Sequence, residues 1–396
     1  MADVPTPSPR RVKAALAAAY GTLFFSLGVY MPFFPLWLTE RGMTPQEIGA
    51  AIAVPLFTRL AATPLLGLLS DRIGRPKAVL ATLALVAAVL MGVLAACRSP
   101  LAIYVVLGLA AMAWNPSFAL LDAYATRQAR AGRVDYGRSR LWGSATFIAA
   151  NLAGGFLIAE AGASMVMVLM VAGQASFVLA MLALPELARP PIHATPHLAL
   201  PRARAVLVLG VFAAALIQAS HATLYAFASV HWAEGGLSLS VIGGLWALGV
   251  VSEIVLFRFG TRIVRRIGPL ALLAAGGLAA LVRFSALALD PPLWLLPPLQ
   301  VLHGLTFGAT YLGLVDLVAR TTPEHRAGTA QSVAGWTVSL AMSVASFAAG
   351  QLWVAYGHWA FLASAGLGLA GAVLALTARL VQPQSAGGAG KTVAPS

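Results

Sequence analysis

Long apolar stretches recur along this chain of 396 residues, and their length constrains its fold more than any other feature. A helix of about 20 residues crosses the hydrocarbon core of a bilayer, because each residue adds about 1.5 Å. Backbone polar groups inside lipid must pair with one another, which favours helices. The chain is therefore predicted to be an all-α integral membrane protein with twelve transmembrane helices. The predicted spans are residues 14–38, 46–69, 78–97, 101–123, 140–159, 164–184, 205–231, 241–260, 270–289, 293–318, 329–353 and 359–380.

Composition excludes the soluble classes of protein. Hydrophobic residues make up 59% of the chain and charged residues only 10%, whereas soluble domains contain about 25% charged residues. The net charge of +13 could suggest nucleic-acid binding, but the basic residues lie in short segments between apolar stretches. No nucleic-acid partner is therefore expected. The single cysteine, Cys97, excludes an intramolecular disulfide and a cysteine-rich metal site.

A proline-rich polar segment at residues 185–204 divides the spans into six and six. Five prolines in this segment prevent it from continuing a helix, so it is predicted to be a cytoplasmic linker. We expect an N-terminal six-helix bundle at residues 1–184 and a C-terminal six-helix bundle at residues 205–381. Residues 382–396 are rich in Gly, Ala and Ser, and are predicted to form a disordered tail.

The positions of Lys and Arg predict the orientation in the membrane. Most of the 26 basic residues lie in the termini and in alternate loops. Basic loops stay in the cytoplasm, so both termini are predicted to be cytoplasmic. The first apolar stretch is too long for the core of a signal peptide and is expected to remain as an uncleaved span.

Six ionisable residues lie inside or at the ends of the apolar stretches. They are Arg59, Asp122, Arg140, Glu253, Arg283 and His303. A charged side chain at the centre of a bilayer costs about 2.5–3.5 kcal/mol, so it must pair within the bundle or face a water-filled path. Both signs of charge in one bundle indicate a binding site combined with a proton relay.

The segment between spans two and three, residues 67–77, contains a motif of glycines, one acid and several basic residues. Its members are Gly67, Asp71, Arg72, Gly74, Arg75 and Lys77. The motif resembles the loop signature of the major facilitator superfamily and predicts a cytoplasmic gate. Gly67 would permit a close helix contact and Gly74 a tight turn. Asp71 could bind a helix N-terminus of the other half in one state of the cycle and release it in another. Residues 260–268 form a degenerate copy of this loop without the acid.

Further stretches narrow this resemblance within the superfamily. Residues 30–38, 122–124 and 135–143 resemble both the lactose permeases and the phenylpropionate permeases. Residues 218–222, 244–254, 282–283 and 299–303 are more similar to the phenylpropionate permease group. The resemblance implies a major facilitator fold, a small-molecule substrate and a bacterial inner-membrane location. The protein is expected to be a monomer.

The resemblance also implies a substrate-binding pair. Asp122 and Arg140 match, with identical spacing, an acid and an arginine that pair and bind sugar in the lactose permeases. Phe147 stands where those permeases stack their sugar on a tryptophan, which argues against a galactoside.

Three more residues are candidates for substrate contact. Arg59 could attract an anion or pack against loop carbonyls. Gln218 and His221 lie one turn apart, and could contact a ligand or form a polar contact between helices.

A second group of residues is predicted to couple transport to protons. Arg283 and His303 match the coupling cluster of the lactose permeases, but the position of its proton-carrying glutamate is Thr306 and a nearby lysine position is Gln300. We therefore assign the proton to Glu253, with Arg283 and His303 as its partners.

No enzyme motif accompanies these residues. The sequence has no phosphate-binding glycine loop, no zinc-ligand spacing and no arrangement of a catalytic triad, so neither catalysis nor a metal or cofactor is expected. Arginines outnumber acids among the intramembrane residues singled out, which favours proton symport of a small organic anion, an aromatic monocarboxylate such as 3-phenylpropionate. A sugar or nucleoside proton symporter and a drug/proton antiporter are the alternatives. A membrane sensor would need a signalling domain, for which the linker and tail are too short.

Overall fold

The structure of the protein is a computed structural model that describes residues 9–186 and 205–381. The predicted tail and all of the predicted linker beyond Glu186 lie outside the described residues.

Six long helices form the first part of the chain. They are α1 (Pro9–Glu40), α2 (Pro45–Ile73), α3 (Pro76–Ala96), α4 (Pro100–Arg130), α5 (Tyr136–Ala161) and α6 (Ser164–Ala183). Local sequence defines their starts: Thr44 and Glu47 form a capping box before α2, and the side chain of Asp135 caps α5. Prolines are retained inside α1, α2 and α4, which neighbouring helices allow in a membrane protein.

Helices of the second part are more often interrupted. They are α7 (Ala205–Ala219), α8 (Ser229–Glu234), α9 (Leu239–Ile267), α10 (Pro269–Leu287), α11 (Leu296–Val301), α12 (Thr310–Thr321), α13 (Glu324–Tyr356) and α14 (Phe361–Leu380). A π-helical segment at Leu224–Ala228 joins α7 to α8, and another at Gly304–Ala309 lies between α11 and α12. Two spans that the sequence predicted as single stretches are thus built from several pieces.

The described residues contain eleven helical stretches that are long and apolar enough to cross a membrane. The last stretch, Gly328–Leu380, is 53 residues long and includes α13 and α14. Gly357, with φ of 56°, separates these two helices. The prediction of an all-α, multi-pass membrane protein is confirmed.

Helix packing follows the same plan in the two parts of the chain. In the first part α1 packs on α5 and α6, and α3 packs on α4 and α6; in the second part α7 packs on α13 and α14, and α10 packs on α12 and α14. Small residues allow helices to approach closely. A Cβ on Gly277 of α10 would lie only 2.6 Å from the carbonyl oxygen of Gly368 on α14. The two parts meet chiefly where α2 packs on α13 and where α5 packs on α9.

Glycines mark where these two helix pairs touch. A Cβ on Gly49 at the start of α2 would lie 2.8 Å from Gly350 near the end of α13. Gly155 near the end of α5 meets the carbonyl of Leu239, and Gly243 near the start of α9 meets the carbonyl of Asn151. All of these positions lie at the end of the bundle opposite to the start of α1. The bundle is therefore closed by backbone contacts at that end.

The predicted gate differs from the expected loop. Asp71 and Arg72 belong to the last turn of α2, and Lys77 belongs to the first turn of α3. Gly74, with φ of 68°, ends α2 and forms the expected tight turn. A Cβ added to Gly67 would meet no described atom within 4 Å, so the expected close helix contact is not formed here. Asp71 is exposed and makes no hydrogen bond or ion pair with a described residue.

Candidate functional site

Glu253, His303 and Arg283 form a continuous chain of hydrogen bonds in the second part of the molecule. Nε2 of His303 lies 2.8 Å from Oε1 of Glu253, and Nη1 of Arg283 lies 3.1 Å from Nδ1 of His303. A guanidinium can only donate, so Nδ1 accepts and Nε2–H donates to the carboxylate. His303 is therefore neutral in this arrangement, with a fixed tautomer.

The same arginine binds further polar groups. Its Nη1 donates to Oγ1 of Thr306 at 3.2 Å, and its Nη2 donates to Oε1 of Gln300. The ring of His221 donates from Nδ1 to the carbonyl of Gln218, so its Nε2 accepts the Thr306 hydroxyl at 2.9 Å. Gln300 and Thr306 stand where the lactose permeases have charged residues, and here they are neutral hydrogen-bond acceptors for Arg283.

Most side chains of this network are buried, where the charge of an unpaired group is poorly stabilised. Arg283 is 1% exposed and Thr306 is fully buried, whereas the side chain of Glu253 is 15% exposed. Among the described residues that are hydrogen-bonded in this network, Glu253 is the only acid. A buried cation without a compensating charge is costly, so Glu253 supplies the compensation for Arg283 through His303.

His221 joins this network through its ring, whereas Gln218 joins it only through its backbone carbonyl. His221 is fully buried and Gln218 is 6% exposed. The bond from His221 to Thr306 is a polar contact between helices, whereas Oε1 of Gln218 is buried and has no partner among the described residues, so contact of either residue with a ligand stays a prediction.

The two π-helical segments position the network. One begins directly after His303 and contains Thr306, and the other follows His221. π-Helical turns change the register of side chains along a helix and are frequent at functional sites. The backbone N–H of Gly304 donates to Oγ of Ser252 at 2.9 Å, which fixes this segment beside Glu253 on α9.

Asp122 has different partners from those that the sequence implied. The hydroxyls of Tyr20 and Tyr136 both donate to its Oδ1, at 2.6 Å and 3.2 Å. No ion pair joins Asp122 to Arg140, both of which are described residues. Hydroxyl donors from α1 and α5 occupy the carboxylate instead, so the pairing implied by the resemblance is not formed in this conformation.

Arg140 lies against aromatic rings. Its guanidinium carbon is 3.9 Å from the ring centroid of Phe24 and 5.8 Å from that of Tyr20, and Phe24 packs edge-on against Phe118. Gly143 makes room for this stack, since a Cβ there would lie 2.8 Å from Phe24. Arg140 makes no hydrogen bond or ion pair with a described residue, although such donors are normally satisfied.

The charged groups of the two parts face each other. Arg140 on α5 lies close enough to Glu253 on α9 for their charges to interact. Arg59 lies on the same face of α2 as the buried residues Ile52 and Pro55, yet it is exposed and has no polar partner among the described residues. Both of its predicted roles, attraction of an anion and packing against loop carbonyls, stay predictions.

Phe147 contributes less to this space than the sequence suggested. It is 8% exposed, and its carbonyl accepts a hydrogen bond of 2.9 Å from the amide of Asn151. A separate groove of about 580 Å³ lies between α1, α5 and α6, with Gly21, Trp142 and Leu169 in its lining. None of the described residues that line this groove is charged, so it is not part of the site.

Several residues of the site were not predicted from the sequence. Tyr20 and Phe24 lie one turn apart on α1, and Tyr136 lies one turn before Arg140 on α5. This spacing was available as a signal, because residues four apart share a helix face. Which neighbouring helix they would meet was not available from one sequence. Within residues 9–186 and 205–381, no group of three or more His, Cys, Asp or Glu is arranged to hold a metal ion.

Comparison with known proteins agrees with this architecture. Residues 14–363 match the model of the MFS_1 like family. The chain is 28% identical over 317 residues to the "Probable 3-phenylpropionic acid transporter" of Escherichia coli (strain K12), covering 77% of this chain and 81% of that protein. It is also 28% identical over 333 residues to the maltose permease of Geobacillus stearothermophilus, covering 80% and 82%.

Solved structures show the same fold. The nucleoside transporter NupG superposes with a TM-score of 0.80 at 18% identity, covering 94% of this chain and 100% of that chain. A bacterial homologue of the human lysosomal transporter Spinster, in an inward-facing and unoccupied conformation, has a TM-score of 0.72 at 13% identity, covering 94% and 97%. At these identities the likeness concerns the fold alone. Taken with the family match over most of its length, the chain belongs to the MFS_1 like family of major facilitator transporters, and is not an enzyme.

Proposed function

We propose that this transporter is a proton symporter for an aromatic monocarboxylate such as 3-phenylpropionate, in the bacterial inner membrane. Its termini are cytoplasmic in this proposal, as the basic loops indicate. A single helix of 53 residues would be about 80 Å long, far more than a bilayer requires. We therefore infer that α13 and α14 cross separately, which gives twelve spans in two halves of six.

The surroundings of Arg140 are the main support for this proposal. An arginine without an acceptor among the described residues is suited to bind a carboxylate with two parallel hydrogen bonds. Phe24 and Phe118 beside it offer apolar faces for an aromatic ring. A small molecule with an aromatic ring and one carboxylate satisfies both features. The similarity to a protein named as a 3-phenylpropionic acid transporter supports the same substrate class.

Charge balance supports coupling to protons. Ionised Glu253 compensates Arg283 and lies within range of Arg140, so it competes with a substrate anion for the same positive charge. Protonation of Glu253 leaves the cavity more positive and favours anion binding. One proton and one monocarboxylate together add no net charge, so the loaded carrier has the same charge as the empty one.

The observed conformation fits one stage of such a cycle. The bundle is closed at the end opposite to the start of α1, and Asp71 at the other end has no partner among the described residues. With cytoplasmic termini this is an inward-facing state, in which a gate centred on Asp71 is open.

Uptake into vesicles that contain the purified protein tests this function. With an inward proton gradient, labelled 3-phenylpropionate should accumulate, whereas a membrane potential alone should have little effect because the cycle moves no net charge. The amide of the same acid is the matched control and should not accumulate. Absence of gradient-driven accumulation for a panel of aromatic monocarboxylates would refute the proposal.

A sugar or nucleoside symporter is the second candidate. The similarity to a maltose permease and the partly exposed carboxylate of Asp122, which could accept a hydroxyl, favour it. Accumulation of maltose or uridine in the same assay would identify this alternative. Proton-driven export of a hydrophobic cation would instead indicate a drug antiporter.

A further inference from the structure

We infer that Tyr20 and Tyr136 determine the charge selectivity of the site, because they hold Asp122 apart from Arg140 and so keep that arginine available for a substrate carboxylate. The inference rests on the proposed function and identifies what makes the site select an anion. It concerns two residues that the charge pattern of the sequence does not single out.

Two tyrosine hydroxyls fix the side chain of Asp122. Both hydroxyls converge on the same oxygen, Oδ1, from different helices. Hydrogen bonds to a carboxylate are stronger than those between neutral groups, so two of them fix the side chain firmly. Tyr20 is only 1% exposed, which limits its freedom to turn away.

Arg140 lies next to both tyrosines. Tyr136 lies one turn before it on α5, and the ring of Tyr20 lies 5.8 Å from its guanidinium. Both tyrosines therefore bind Asp122 and lie beside Arg140, the two charged residues that would otherwise pair. The guanidinium rests on Phe24 instead, where an aromatic face attracts the cation but offers no hydrogen-bond acceptor.

The site has two possible states, which differ in the partner of Asp122. If Asp122 bound Arg140 directly, the pair would have no net charge and Asp122 would occupy the N–H donors of Arg140. Such a site suits a ligand rich in hydroxyls. With Asp122 held by tyrosines, the donors of Arg140 have no partner among the described residues, which suits a carboxylate. Removal of the phenolic hydroxyls should convert the second state into the first.

Binding to the purified protein, measured by isothermal titration calorimetry, tests this inference. The ligands are 3-phenylpropionate and its neutral amide, and the variants are Tyr20→Phe, Tyr136→Phe and the double variant. We expect the double variant to lose at least about tenfold in affinity for the carboxylate, corresponding to a lost charge-assisted hydrogen bond, while its affinity for the amide changes little. Each single variant should show a smaller loss of the same kind.

Two controls separate selectivity from damage to the fold. Tyr30→Phe changes a tyrosine on the same helix that stacks on Phe34 and does not contact Asp122, so it should keep the wild-type preference. Adding Asp122→Asn to the double variant removes the charge that captures Arg140, and should restore the preference for the carboxylate.

The outcomes distinguish the inference from the function on which it rests. An unchanged ratio of carboxylate to amide affinity in the double variant would overturn the inference while leaving the function intact. A parallel loss of both affinities, or no restoration by Asp122→Asn, would show that the tyrosines only support the fold, and would also overturn it. If the wild-type protein has no preference for the carboxylate, the proposed substrate class is wrong and the inference fails with it.

Discussion

Among the described residues, Arg283 is hydrogen-bonded only to neutral side chains, so its compensating charge comes from a carboxylate that it does not bind directly. Gln300, Thr306 and His303 contact it, and each is neutral in the observed hydrogen-bonding pattern. The nearest acid of the network, Glu253, is reached only through the imidazole of His303. A change in the charge of this one carboxylate should therefore alter the electrostatics of the whole cavity.

The first prediction concerns Glu253→Gln. Glutamine mimics the protonated carboxyl, so the variant should bind substrate and exchange it across the membrane at equilibrium. It cannot release a proton, so accumulation driven by a pH gradient should disappear. Both rates are measured in the same vesicles. If the variant still accumulates substrate against a gradient, another group, with Asp122 the first candidate, carries the proton.

The second prediction concerns the shape of the cation at position 140. Arg140→Lys keeps the charge but loses the planar pair of donors and the stacking on Phe24. We expect affinity for a monocarboxylate to fall by about tenfold or more, as for loss of a charge-assisted hydrogen bond. Arg140→Gln should bind still more weakly. Equal affinities for wild type and the lysine variant would show that only charge matters at this position.

Functional roles could be predicted from the sequence for charged side chains inside apolar stretches, because such side chains are costly in lipid. Glu253, Arg283 and His303 were assigned to one cluster from the sequence, and the structure brings them into contact. The partner of Asp122 could not be predicted, because hydroxyls of tyrosines compete with Arg140 for it and their positions depend on how α1 packs on α5.

At the scale of elements, the π-helical segments are the feature that most affects the site. Both occur in the second part of the chain, and both adjoin histidines of the network. The apolar length of a span does not show whether its backbone hydrogen bonds follow the α-helical or the π-helical pattern. The spans could therefore be placed from the sequence, whereas these interruptions could not.

A third prediction tests the contact that fixes one of these segments. A methyl group on Gly304 would lie 2.9 Å from the carbonyl oxygen of Ser252, so Gly304→Ala should push the segment away from α9. Such overpacking costs about 1–3 kcal/mol and should lower the melting temperature in detergent. It should also weaken proton coupling, because Glu253 and His303 lie on the separated elements.

The control for this variant is Gly335→Ala on α13, where a methyl group meets no described atom within 4 Å. Alanine is the better helix former, so this variant should be at least as stable as wild type. If both variants melt alike and remain coupled, the contact between Gly304 and Ser252 does not position the relay.

For the whole molecule, the contacts between the two parts determine which end of the bundle is open. Gly243 and its neighbour Gly244 provide a matched pair. A Cβ on Gly243 collides with the carbonyl of Asn151, whereas one on Gly244 meets no atom of the described ranges within 4 Å. Adjacent glycines on one helix thus differ in whether they lie at the interface of α5 and α9.

The fourth prediction follows from this pair. Gly243→Val should prevent α5 and α9 from closing, and so shift the carrier away from the observed conformation and reduce uptake severely. Gly244→Val carries the same change of side chain and should retain most of the activity. The conformational shift is measured by the accessibility of single cysteines at the two ends of the bundle, on the background Cys97→Ser. Similar activities for the two valine variants would contradict this role of the interface.

Backbone atoms close one end of the bundle, whereas the predicted gate at the other end consists of charged side chains. Contacts between Gly243 and a carbonyl do not depend on ionic strength. An interaction made by Asp71 depends on ionic strength, because exposed charges are screened over about 8 Å at physiological salt. The two ends of the carrier should therefore respond unequally to salt. Concentrated electrolyte would weaken only the charged end, and the resting population of carriers would shift towards the conformation seen here.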